Sequence, residues 1–174
     1  MHRIHHTGII VSDLDRSIGF YHEVLGLSLA SEPTPVFAGP ELGPALGVPG
    51  ASLRVVTFDV GGDTLELLEY LTPPSPIETP MPQNALGAHH VAFRVDDIDS
   101  MVVELEAKGI TFLSPVNHVD DGVLAGWRWV YFTDPDGITL ELVEIAYTRP
   151  DQRRENIARY LAERDAHPHE PVEH

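Results

Sequence analysis

Residues 59–69 and 134–144 are two versions of one eleven-residue segment. Seven positions are identical: Asp59/Asp134, Gly62/Gly137, Thr64/Thr139, Leu65/Leu140, Glu66/Glu141, Leu67/Leu142 and Glu69/Glu144. Upstream of each lies a second matching block, residues 6–15 over 90–99, headed by His6 and His90. Two separated blocks recurring in the same order mean that the chain contains one module twice, at about 3–70 and 87–146. The expected division is a first module in 1–71, a proline-rich linker in 72–86, a second module in 87–147 and a C-terminal tail in 148–174.

Both copies read alike. A strand (7–11 and 90–95) leads to Ser12-Asp13 or Asp96-Asp97, whose side-chain oxygens suit the start of a helix. Leu14, Ile18, Tyr21 and Leu25 lie on one face of a helix over 14–24, and Ile98, Met101, Val102 and Leu105 repeat the pattern over 98–107. Both helices should end at glycine, Gly26 and Gly109. Three strands follow in each copy. In the first they are 27–30, 53–60 and 63–70, with a hairpin turning at Gly61-Gly62 and a long Pro/Gly-rich loop over 32–50. In the second they are 111–113, 127–133 and 138–145, turning through 134–137. The expectation is an α+β chain of two tandem βαβββ modules, with a short tail helix at 152–164.

Composition narrows the class of partner. Eleven Lys and Arg against 27 Asp and Glu leave a net charge of −16, which disfavours a nucleic-acid backbone or an anionic membrane surface. The absence of cysteine removes disulfides, thiolate nucleophiles and Cys-ligated zinc. No run approaches a membrane helix and no signal peptide is evident, so the expected location is the cytoplasm.

Ten histidines are many for 174 residues. His6 and His90 open the first strand of each module, and Glu66 and Glu141 lie in the last. If the modules pair about a pseudo-twofold axis, two imidazoles and two carboxylates meet. That set suits one divalent ion (nickel, zinc, cobalt, manganese or iron), with positions left for water or substrate. A +2 ion cancels the two carboxylate charges, which would otherwise be costly to bury together. Glu69 and Glu144, three positions on, should point to the opposite face and be solvated. His5 and His89 should face away, the alternative being that one replaces its neighbour. His22 and His118 read as surface residues, with His118 able to reach the site from a loop.

Residues 6–26 and 131–144 resemble the opening and closing segments of the vicinal oxygen chelate superfamily, which includes glyoxalase I, methylmalonyl-CoA epimerase, extradiol dioxygenases and bleomycin-binding proteins. The resemblance covers roughly residues 3–146. It implies an open, cup-like mixed sheet around a metal, with His6, Glu66, His90 and Glu141 at the four ligand places. All four favour the glyoxalase and epimerase branch: a lyase, isomerase or epimerase moving a proton through a metal-stabilised enediolate on a small oxygenated substrate. Glu141 is then the first choice of base and Glu66 the second. The runner-up is an iron dioxygenase using His6, His90 and Glu141. A third reading is a drug- or metabolite-binding protein without catalysis. The resemblance also implies a homodimer. Arg3, Arg54, Arg94 and Arg128 are the strand-borne candidates for an anionic substrate. Phe37, Leu42, Leu46, Trp127 and Trp129 could wall the cup, with the tryptophans alternating with Arg128, one face each way.

Overall fold

The computed structural model describes residues 4–77, 80–122, 124–145 and 150–166. Strand β1 (His6–Ile10) leads into helix α1 (Leu14–Ile18), whose first turn is closed by Asp13, its carboxylate accepting from Arg16 N–H at 2.9 Å. Two short strands, β2 (Ser28–Leu29) and β3 (Phe37–Ala38), and helix α2 (Leu42–Leu46) precede the hairpin of β4 (Ser52–Asp59) and β5 (Thr64–Thr72). The second half repeats the plan with β6 (Val91–Arg94), α3 (Ile98–Ala107), β7 (Asn117–His118), β8 (Trp127–Thr133) and β9 (Thr139–Ile145). Helix α4 (Pro150–Ala166) follows. None of the described helices is long and apolar enough to cross a membrane.

The strands form two mixed sheets, ordered β1-β5-β4-β2, with β3 also on β4, and β6-β9-β8-β7. In each, the first strand runs parallel to the last and lies at the edge, while the last two form an antiparallel hairpin. Alternation gives each sheet two unlike faces. Val56, Phe58, Leu65 and Leu67 on one sheet, and Val130, Phe132, Leu140 and Leu142 on the other, are buried with Leu14, Tyr21, Ile98 and Leu105 from the helices. All belong to one core. The two modules therefore share their inner faces through the helices, and the opposite face of each sheet looks outward.

Polar contacts lock the halves together. The turn after β8 meets the start of α1: Ser12 donates from its N–H (3.0 Å) and its hydroxyl (2.6 Å) to Asp136, and Arg16 pairs with the same carboxylate. Tyr21 donates to the buried Asp134 at 3.1 Å. Lys108 Nζ donates to the Val24 carbonyl at 2.8 Å, so the C-terminal ends of the two helices meet at positions that correspond in the repeat. Burial alone would raise the Asp136 pKa, but the Ser12 and Arg16 contacts hold it below the ordinary value. A depressed folded-state pKa adds stability above the unfolded pKa of about 3.9, lost as the pH falls through the lower folded value. Arg16 is half-exposed, so solvent screening holds the effect to about 1 kcal/mol. Asp136→Asn is expected to lower the Tm by about 2–4 °C at pH 7, with the difference closing only at the acid end, as the pH falls through the depressed folded value, in paired thermal scans.

The structure corrects four local expectations. The helix over 14–24 is α-helical only to Ile18; Gly19–Val24 is a π-helix, with Leu25 N–H donating to the Phe20 carbonyl at 3.0 Å. The wider turn lets adjacent Phe20 and Tyr21 both enter the core. The 32–50 segment is not a bare loop but contains β3 and α2. It is held where Gly43 approaches the backbone so closely that a Cβ would stand 2.8 Å from Gly50 N and Val48 O. The strand over 111–113 reduces to a single bridge, Phe112 to Phe132, and pairing resumes only at β7. Pro115 lies between and has no N–H for the ladder. Finally, the two hairpin turns differ by one residue: Asp59 pairs with Thr64, whereas Thr133 pairs with Thr139. Asp59 thus ends a strand while Asp134 lies in the turn, and the shorter turn relies on positive φ at both Gly61 (79°) and Gly62 (99°).

Candidate metal centre

The register places the expected ligands on the outward faces. Gly8 pairs with Glu66 and Ala92 with Glu141, so His6 and Glu66 share one face, and His90, just before β6, shares the other with Glu141. His6 Nε2 stands 3.7 Å from Glu66 Oε2, and His90 Nε2 stands 3.0 Å from Glu141 Oε2. The four side chains thus come together as two pairs. Among the described residues, no three His, Asp or Glu side chains converge to hold a metal. Each pair lies on the face of its sheet turned away from the shared core and is open to solvent: His6 and His90 side chains are 46% and 43% exposed.

The donor chemistry fits a cation. Along the same strands, Glu69 lies 3.5 Å from Arg54 and Glu144 lies 3.5 Å from Arg128. Among the described residues, Glu66 and Glu141 pair only with an imidazole and with no Arg or Lys. The histidines present the right nitrogen. His5 and His6 approach Nδ1 to Nδ1 at 2.8 Å, so one of the two must donate. A proton on His6 Nδ1 leaves the Nε2 lone pair free toward Glu66. His5 thus touches the ring of its neighbour. His89 Nδ1 lies 3.4 Å from the Gly87 carbonyl.

The two pairs are not equivalent. The Glu141 side chain is 9% exposed against 25% for Glu66. Burial raises the Glu141 pKa, and the neighbouring His90 offsets this only in part. Tyr131, opposite Glu141 on β8, packs edge-on against His90 with ring centroids 5.3 Å apart. Its phenol is raised by burial and then by the Glu141 charge.

Two expectations about the surroundings fail. Glu69 and Glu144 do point to the opposite face, but they are not solvated. Arg54 joins Glu69 to Asp15 (3.0 Å), and Arg128 joins Glu144 to Asp99 (2.6 Å). Glu144 also accepts from Ile98 N–H at 2.9 Å, tying β9 to the start of α3. Arg54 and Arg128 therefore bind helix to sheet and are not available to a substrate. The signal was in the repeat, since Asp15/Asp99, Arg54/Arg128 and Glu69/Glu144 all recur at matching places. His118 pairs in register with Arg128, hence away from the site, and bonds Asp120 at 2.8 Å. Trp127 and Trp129 pair with Ile145 and Val143 on the outer face beside Glu141, with Arg128 on the other. Phe37 and Leu46 are largely exposed. Arg3 lies outside the described residues.

The sequence profile of the Glyoxalase/Bleomycin resistance protein/Dioxygenase superfamily matches residues 3–142. The chain belongs to this superfamily. A 2-epi-5-epi-valiolone epimerase from Actinomyces sp. is 34% identical over 164 residues, spanning 92% of this chain and 88% of that protein. The mitochondrial methylmalonyl-CoA epimerase of Bos taurus is 36% identical over 113 residues, spanning 64% of this chain and 57% of that one. Among solved structures, a glyoxalase family protein from Bacillus cereus superposes with a TM-score of 0.70 at 29% identity, covering 83% of this chain and 95% of that one. As in other members of the superfamily, the two mixed sheets with few helices are the scaffold, and its relatives include enzymes that epimerise carbon centres.

Proposed function

We propose that this protein is a metal-dependent enzyme of the epimerase, isomerase or lyase kind. In this reading it acts on a small oxygenated substrate, at a centre shared between two copies of the chain. The observation that carries this reading is the division of the ligands. His6 with Glu66, and His90 with Glu141, are two separate half-sites, one on the outward face of each sheet. A four-ligand centre then requires the His6 and Glu66 of one protomer to meet His90 and Glu141 of the partner subunit. A homodimer with twofold symmetry makes two such centres at once.

A divalent ion held there would supply Lewis-acid polarisation of a substrate carbonyl, acidifying the adjacent C–H. The residues of this chain do the rest. Glu141, nearly buried and so with its pKa raised, takes the proton. Glu66, more open, is placed to return a proton from the other side of the centre. Delivery to the opposite face of the same carbon inverts it, and delivery to a neighbouring carbon isomerises the substrate. His5 holds His6 in position. The relatives direct the first assays to 2-epi-5-epi-valiolone and methylmalonyl-CoA, alongside the hemithioacetal of glutathione and methylglyoxal.

Elemental analysis of untagged protein tests the reading. About one divalent ion per chain is expected in the parent dimer, and much less in Glu66→Ala and His90→Ala. Metal kept in Glu66→Ala but lost in His90→Ala would point instead to a three-ligand, oxygen-using iron site. No metal after reloading would overturn the catalytic reading in favour of a binding protein.

A further inference from the structure

In a chain this acidic, each positive charge is informative by where it sits. Five cations lie in the two modules with described side chains: Arg16, Arg54, Arg94, Lys108 and Arg128. Four are held by carboxylates: Arg16 by Asp136, Arg54 by Asp15 and Glu69, Lys108 by Glu104, and Arg128 by Asp99 and Glu144. Arg94 has no carboxylate partner among the described residues, and it is exposed.

Its place in the sheet is what matters. Ala92 pairs with Glu141, and Glu141 with Tyr131; Arg94 pairs with Val143, and Val143 with Trp129. Arg94 and Trp129 therefore flank one row of the outward face, next to the row that holds Glu141 and about 7 Å along the strand. The first module has no counterpart. There Ile10 pairs with Leu68, and Leu68 with Val55, an apolar row throughout. The repeat is broken at this row, where one half carries a cation and an indole. A guanidinium left unpaired among so many carboxylates, beside an aromatic wall, is arranged to accept an anion from outside the chain.

We propose that Arg94, backed by Trp129, is an anion-recognition subsite of this centre. The substrate then carries a carboxylate or phosphate group about one strand row from the oxygens that react beside Glu141. The inference rests on the proposed centre for where those oxygens lie. It also accounts for orientation: a twofold-like cup with one cationic row among the described residues accepts an anionic substrate one way round.

The test uses three chelating probes on the full chain, metal-loaded and metal-free: neutral acetohydroxamate, succinohydroxamate with a carboxylate, and phosphonoacetohydroxamate with a phosphonate. The two tryptophans of the chain both lie on this face, so quenching of their emission reads binding. The parent should bind an anionic probe at least about tenfold more tightly than acetohydroxamate. Arg94→Gln should lose that preference while keeping its acetohydroxamate affinity and metal content, and Arg94→Lys should keep part of it. A preference for phosphonate assigns a phosphate group to the substrate, and one for the carboxylate probe assigns a carboxylate. Equal affinities in the parent, no binding of the anionic probes, or a preference surviving Arg94→Gln would overturn the subsite. Arg94-dependent phosphonate binding in protein that takes up no metal would support the subsite and overturn only the metal centre. Metal-dependent hydroxamate binding without charge preference would do the reverse.

Discussion

Neither His6→Ala nor His90→Ala alone is expected to hold its full complement of metal or to show appreciable activity, yet a mixture of the two should regain both. In a dimer whose centres are shared, a hybrid of the two variants places both substitutions in one centre. Its other centre combines an intact His6 and Glu66 with an intact His90 and Glu141 of the partner subunit. Random reassociation makes half the dimers hybrid, each with one working centre, so about a quarter of parental metal and activity should return. A centre assembled within one chain would carry one lesion in every copy, and mixing would restore nothing. Co-refolding of the variants, followed by elemental analysis and activity measurement, decides between the two arrangements. The prediction follows from the 3.7 Å and 3.0 Å half-sites and from the shared core that keeps them apart in one protomer.

The second large effect concerns the proton. Glu141→Gln should lower kcat by about 10²–10⁴-fold, the usual contribution of a positioned general base. Glu66→Gln should cost less if Glu141 does the abstraction. Both substitutions keep an oxygen donor, so retained metal separates lost chemistry from lost binding. The asymmetry has a physical origin: Glu141 is nearly buried between His90 and Tyr131, whereas Glu66 is more open. Full activity in Glu141→Gln with normal metal content would remove Glu141 from the role of base. The hydrogen–deuterium exchange rate at the substrate carbon, followed by NMR, would show the same loss without depending on product release.

Much of this architecture was legible in the chain. The match of 59–69 with 134–144 implied two equivalent units, and the structure has Leu65 and Leu67 in the core on either side of the partly exposed Glu66. Details that depend on one-residue shifts were not legible. The π-helical turn at Gly19–Val24 keeps the same apolar residues as an α-helix would, and the two differ in their backbone bonds, as in Leu25 N–H to the Phe20 carbonyl, which leave no mark in the sequence. Pro115 moved the second module's short strand because a missing N–H acts on the ladder and not on hydrophobic periodicity. The Arg54 and Arg128 clamps were misjudged because a basic residue in a strand looks the same whether it meets a substrate or a helix. The division of the four expected ligands into pairs was not visible at all. Each strand's faces read identically whether the modules join through their inner or their outer surfaces.

That join has an evolutionary consequence. Because the halves are cemented by one face of each sheet, the other faces can diverge without disturbing the joint. Corresponding outward positions have done so: Ile10 and Arg94, Val55 and Trp129, Thr57 and Tyr131 differ in size, polarity or charge. Inward positions such as Val56 and Val130, Phe58 and Phe132, and Leu65 and Leu140 have kept their character. Duplication thus produced two nearly independent surfaces on one foundation, where new chemistry can be tried by substitution at little risk to folding.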